Sequence, residues 1–208
     1  MMNLIDKKYD EIDFHNIHDI IPEISEVNSL GKCKPDGIYK THLLYNNKLD
    51  KVVYIIRNPF DAMYSYYHYV NYEKGQPIQL HELIYDKVYG VEALVKHIES
   101  YVSGSNDILL IRYEELINGN KKDVYSIAQF MGITINDHIA DMSIKLSSFD
   151  NMRDIEISKG RKFGSSKFTF TRSGKVGEGL SVIHDNPKLV TYINQEISKS
   201  PILAKYYL

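Results

Sequence analysis

Two short apolar runs, Val52-Val53-Tyr54-Ile55-Ile56 and Ile108-Leu109-Leu110-Ile111, constrain this chain more than any other feature. They have strand length, and near-continuous apolar character of that kind belongs to parallel strands covered on both faces. Parallel neighbours need a long crossover, usually helical, and the sequence between the runs supplies one. Asn58 can cap a helix with Pro59 at its first position, where proline's fixed φ and missing N–H do no harm. That helix should reach Tyr69 or beyond. From Gln79 to Tyr101, apolar residues at Leu80, Leu83, Ile84, Val88, Val91, Leu94, Val95, Ile98 and Tyr101 approach a 3.6-residue period and predict one long or kinked helix, despite Gly90. After the second run, Tyr113 to Leu116 leads through a polar turn to a helix ending near Gly132. Strand, helix, strand, helix predicts an α/β fold, a parallel sheet flanked by helices.

The flanks are less regular. Residues 4–30 read as an irregular helix broken at Pro22, residues 31–37 as a Gly/Pro loop, Ile38 to Leu44 as a short strand, and Asp185 to Lys199 as a closing helix. At 208 residues the chain is expected to be one domain, 1–208. Its 25 Lys+Arg against 27 Asp+Glu leave a net charge of -2, so no global field draws nucleic acid or an anionic membrane, and any bound anion needs a local cluster. The single cysteine, Cys33, forms no internal disulfide, and neither a Cys-rich metal site nor a His/Cys motif is present. No apolar run is long enough to span a bilayer, and the first residues carry no signal-peptide pattern, so a soluble, cytoplasmic protein is expected.

Three segments carry the chemistry. Arg57 closes the first run beside the helix start at Asn58, which gathers a cation and free backbone N–H groups at the sheet's C-terminal edge, where open α/β folds bind ligands. Ser65 lies two turns further on, able to join Arg57 on one phosphate; the bland alternative pairs Arg57 with Asp61. Lys40 and His42 point the same way if their segment is extended, so a cation and an imidazole can face one reacting centre. His42 can take a proton from a hydroxyl while Lys40 steadies developing negative charge. The third segment, Arg172-Ser173-Gly174-Lys175-Val176-Gly177-Glu178-Gly179, combines cations with three glycines whose backbone can wrap an anion. Lys159, Arg161, Lys162 and Lys167 extend its basic character. No G-K-[ST] ending occurs anywhere, so this is not a Walker A loop.

Taken in order, Lys40-Thr41-His42, Arg57-Asn58-Pro59-x-Asp61-x-x-x-Ser65, Tyr113-Glu114-Glu115-Leu116, Ser147-Ser148-Phe149-x-x-Met152 and Arg172-Ser173-Gly174 resemble the sulfotransferases of the cytosolic type that use 3'-phosphoadenosine 5'-phosphosulfate (PAPS). The resemblance implies a P-loop nucleotide-kinase-like sulfotransferase fold and transfer of a sulfuryl group to a hydroxyl or amine, with adenosine 3',5'-bisphosphate (PAP) as product. It implies that Arg57 and Ser65 hold the 3'-phosphate with Arg172, Ser173 and Gly174. Tyr113, Ser147 and Phe149 would line the adenosine site, His42 would be the general base and Lys40 its neighbour. Acceptors could be small molecules, carbohydrates or lipids, and a homodimer stays open. The family's R-K-G-x-x-G-D-W reads here with Ser173 for the lysine and Gly179 for the tryptophan. No counterpart of the family's P-K-S-G-T-T-W phosphosulfate loop stands before Lys40, so the fold is expected to be N-terminally incomplete. The alternative function is a catalytically inactive nucleotide-binding or interaction module of the same descent.

Overall fold

A computed structural model describes residues 13–34, 37–161 and 169–208. The two apolar runs become strands β3 (Val52–Ile56) and β4 (Ile108–Arg112), parallel and in register from Val52↔Ile108 to Ile56↔Arg112. On one face, Tyr54, Ile56 and Leu110 join the main core. On the other, Ile111 is buried while its partner Ile55 is 50% exposed. The expectation of strands covered on both faces therefore holds over β4 and fails over β3. The reason is coverage: helix α6 (Lys121–Phe130) packs on β4, and among the described residues β4 is the only strand beside β3.

The crossover begins with α2 (Pro59–His68), which Asn58 caps by accepting the Phe60 N–H at 3.0 Å, and one π-helical turn carries it on through Tyr69–Glu73. The predicted helix over 79–101 is two helices, α3 (Leu80–Tyr85) and α4 (Val91–Gly104). Asp86 makes the break: its Oδ1 accepts the Val88 and Tyr89 N–H groups, each at 2.8 Å. The chain turns so tightly that a Cβ on Gly90 would stand 2.4 Å from the Asp86 carbonyl oxygen. The break also turns Val88, a member of that apolar period, outward to 68% exposure.

Ahead of the crossover, residues 4–12 and 35–36 lie outside the described residues, and the described part of the expected irregular helix resolves into α1 (Ile17–Ile20), strand β1 (Glu23–Ile24) and a 3-10 turn over Val27–Lys32 that claims the first part of the expected loop. The expected strand from Ile38 to Leu44 shrinks to β2 (Lys40–Thr41), which pairs in parallel with β1 as a second small sheet. Beyond β4 come α5 (Tyr113–Ile117), α6, then α7 (Asp137–Ser147) and α8 (Phe149–Lys159), two helices the sequence reading did not place. The chain ends in α9 (Glu178–Ile183), α10 (Pro187–Ser198) and α11 (Pro201–Tyr207). Leu189, Ile193 and Ile197 line one stripe of α10 and enter the core with Val91, Val95 and Ile98 of α4, so the closing helix seals the face that β3 presents.

Candidate active site

The corner after β3 is cationic, but its backbone is already in use. Asn58 N–H donates to Glu114 Oε1 at 2.7 Å, and Phe60 N–H is taken by the Asn58 side chain. The expected free amides are thus occupied, because a buried carboxylate from α5 reaches the helix start first. Arg57 itself lies over the Tyr113 ring, 4.4 Å from its centroid, and its Nε is buried with no hydrogen-bond partner. Such a donor is costly to leave unmet. Arg57 does not pair with Asp61. The two oxygens of Asp61, 3% exposed, accept Gly177 N–H and Gly179 N–H at 2.7 Å each.

Those two bonds also correct the reading of the glycine segment as an open anion cradle. Gly177 and Gly179 point their amides at Asp61, and Gly179 packs so closely on α2 that a Cβ would sit 2.2 Å from the Phe60 oxygen. Gly174 is different. It holds φ +63° and packs against the Phe149 ring, where a Cβ would come within 2.4 Å of Cδ2.

Arg57, Ser65, Tyr113, Phe149, Arg172, Ser173 and Gly174 line one cavity of about 140 Å³, together with Phe170, Thr171, Lys175 and Glu178. Ser147 does not line it; this exposed residue donates from Oγ to the Ser143 carbonyl one turn back on α7. The two arginines enter the cavity in different states. Arg172 is held by Glu178 through two hydrogen bonds, 3.0 Å and 2.6 Å, and lies over Tyr64, and the arginine in turn holds Glu178 below the usual carboxylate range. Arg57 has no carboxylate within ion-pair distance among the described residues. The basic stretch does not form one patch, since Lys159 pairs with Asp13 and Arg161 with Glu73 and Glu156. Lys162 and Lys167 lie outside the described residues.

Three carboxylates help build the cavity: Glu114 and Glu178, which stand in the quoted motifs without an assigned role there, and Glu156, which lies outside them. Glu156 of α8 accepts the Phe170 and Thr171 N–H groups at 2.7 and 2.8 Å and the Thr171 hydroxyl, fixing the chain just before Arg172. Burial pushes its pKa up, but the bonds from Thr171 and Phe170 and the nearby Arg161 outweigh that and leave it lowered. No spacing marks these residues in a chain with 27 acids.

Lys40 and His42 lie together, away from the cavity lining. Lys40 Nζ is 3.2 Å from Glu23 on the adjacent strand, so its charge is not free as expected. His42 falls just past the end of β2, because that strand stops at Thr41. The groups around its ring disfavour the charged form, the Lys40 cation acts in the same direction, and Glu23 opposes both; the net effect lowers the His42 pKa.

A family model described as the sulfotransferase domain matches residues 5–181. This chain belongs to the sulfotransferase domain family. It is 30% identical over 178 residues to a 3-beta-hydroxysteroid sulfotransferase of Cavia porcellus, covering 75% of this chain and 61% of that one. A luciferin sulfotransferase of Photinus pyralis is 27% identical, over 72% of this chain and 47% of its own length. The chain thus spans less than two thirds of these curated sulfotransferases. Among solved structures, mouse sulfotransferase SULT7A1 complexed with PAP superposes with a TM-score of 0.66 at 25% identity, covering 82% of this chain and 70% of that one. Retinol dehydratase in complex with retinol and PAP superposes at 0.67 with 18% identity, over 83% and 57%, and shows the fold alone. The parallel strands and surrounding helices are those of the α/β sulfotransferase fold.

Proposed function

We propose that the cavity binds the adenosine 3',5'-bisphosphate part of PAPS and that the chain serves sulfuryl transfer to a hydroxyl or amine. The observation that carries this is Arg57: a cation with no ion-pair partner among the described residues and an orphaned buried Nε, stacked on the Tyr113 ring and lining one cavity with Ser65 and Phe149. Arg57 and Ser65 take the 3'-phosphate, with Arg172, Ser173 and Gly174 closing over it, and Phe149 offers its ring to the purine. Ser147 is omitted from this set because it stands outside the cavity. His42 is the base: it removes the acceptor's proton as the acceptor oxygen or nitrogen bonds to sulfur, and PAP leaves with the electrons of the broken S–O bond. Lys40, shared with Glu23, supports charge at that end.

The PAP-bound mouse relative and the steroid and luciferin relatives support a nucleotide donor and a small-molecule acceptor. We assign residues 1–208 to one domain and the protein to the cytoplasm; among the described residues no helix is long and apolar enough to cross a membrane.

Titration calorimetry tests the phosphate assignment. PAP should bind more tightly than adenosine 5'-monophosphate, and Arg57→Ala should weaken PAP by about 1.5–3 kcal/mol, the range for a hydrogen bond to a charged group. Equal PAP affinity for wild type and variant overturns the assignment.

A further inference from the structure

One face of α4 grips the backbone of residues 42–45, a segment that belongs to neither sheet. His97, Ser100, Tyr101 and Gly104 stand at helical positions i, i+3, i+4 and i+7, so they share a face. His97 Nε2 lies 3.3 Å from the His42 carbonyl oxygen, Tyr101 O–H donates to the Leu43 carbonyl at 2.8 Å, and Tyr45 N–H donates to Ser100 Oγ at 3.1 Å. Gly104 provides the space for Tyr45, since a Cβ there would be 2.3 Å from the ring.

The partners fix the His97 tautomer. A carbonyl oxygen only accepts, so Nε2 carries the proton, and in the neutral ring Nδ1 must accept. It receives Tyr54 O–H at 2.7 Å. Burial keeps the ring neutral by holding its pKa below the ordinary value. The rings of Tyr54 and Tyr101 flank it, their centroids 5.7 and 5.1 Å away. Both nitrogens are therefore committed, which leaves His97 unable to act as a second base. Tyr54 sits on β3, three residues before Arg57.

We propose that His97 is a positioning residue for His42, tying the base-bearing segment through one imidazole to the strand that ends in the phosphate-binding arginine. This rests on the reading of His42 as the base. The role is mechanical: the catalytic nitrogen and the donor corner come from separate elements, and a hydrogen-bonded bridge from Tyr54 through His97 to the His42 backbone keeps their separation constant. Small misplacements of a reacting group are expensive in rate, so a residue that never touches substrate can still control turnover.

His97→Leu removes both bonds, His97→Gln keeps a donor near the Nε2 position, and Tyr54→Phe removes only the Nδ1 partner. Three measurements on the 208-residue chain decide the matter: the NMR signal of the His42 imidazole, PAP affinity by calorimetry, and transfer of labelled sulfate from PAPS to a panel of phenols and alcohols. For His97→Leu the His42 signal should move and broaden, PAP affinity should stay at the wild-type value, and kcat should fall about 10–100-fold with KM for PAPS unchanged. His97→Gln should recover most of that loss. A His42 signal identical to wild type in His97→Leu overturns the proposal, and so does a loss of PAP affinity that parallels the loss of kcat, since that is the mark of general damage. If His97→Leu does not fold, Tyr54→Phe must still perturb the His42 signal, and an unperturbed signal overturns the proposal. Absence of transfer by the wild type would overturn the activity proposed for this chain by itself, while the NMR comparison would still decide whether His97 holds the His42 segment.

Discussion

Arg57 and Arg172 bring the same charge to one cavity under different constraints, and the difference explains which of them a sequence can reveal. Arg172 is neutralised by Glu178, six positions on at the start of α9, whereas Arg57 is left with a buried unmet donor at the end of a strand. The strand run, the arginine and the Asn-Pro helix start are contiguous, so that corner is legible from the sequence. Glu114 and Glu156 are not: each does its work on a segment distant in sequence or on a backbone amide, and nothing in an ordinary carboxylate's neighbours announces such a contact. His42 does not titrate as an ordinary imidazole. Crowding of the ring, then the Lys40 cation, lowers its pKa from 6.5, so the neutral, proton-accepting form persists to lower pH. An NMR titration of the His42 imidazole should therefore give a midpoint below 6.5, and the acid limb of any transfer rate should lie there too. A midpoint at or above 6.5 contradicts this account of the site.

At the scale of elements, periodicity located the inward faces within each helix and missed the break at which Val88 turns outward. Leu189, Ile193 and Ile197 do form the buried stripe of α10, yet the stretch before α4 is interrupted by Asp86 capping its own following turn, a polar event that an apolar count ignores. The glycine loop shows the same limitation in the opposite direction, since its sequence resembles an anion cradle but two of its amides belong to Asp61. That carboxylate staples α2 to the start of α9 and thereby fixes the far wall of the cavity. Replacing Asp61 by Ala strands two N–H groups, one of them fully buried, and should destabilise the protein by about 2–4 kcal/mol. Urea unfolding measures this directly. A variant within about 0.5 kcal/mol of wild type, the range of an uneventful surface change, would mean the staple carries no load.

For the whole molecule, a net charge of -2 conceals how much of the cavity is assembled by acids. Asp61 holds Gly177 and Gly179, Glu114 holds Asn58 and the Tyr207 hydroxyl, Glu156 holds Phe170 and Thr171, and Glu178 holds Arg172. Glu156 and Glu178 have pKa values lowered from 4.5 in the folded chain. A group of that kind contributes stability in full above its unfolded value, and the contribution disappears as pH falls through the lowered folded value, because the unfolded state takes up the proton first. His42, His68 and His97 also have lowered pKa values and lose their contribution as pH falls below 6.5, so the acid sensitivity of wild type alone does not isolate the carboxylates. Comparison with Glu156→Gln does, since glutamine resembles the protonated acid and the histidines are common to both proteins. At neutral pH the variant should be less stable, having exchanged a charged acceptor of three hydrogen bonds and the Arg161 pair for a neutral amide. As pH drops below 4.5 the wild type should lose stability faster, and the gap between the two urea midpoints should shrink. A gap that stays constant from pH 7 to pH 3 would show that the Glu156 charge does not hold the Phe170–Arg172 wall in place.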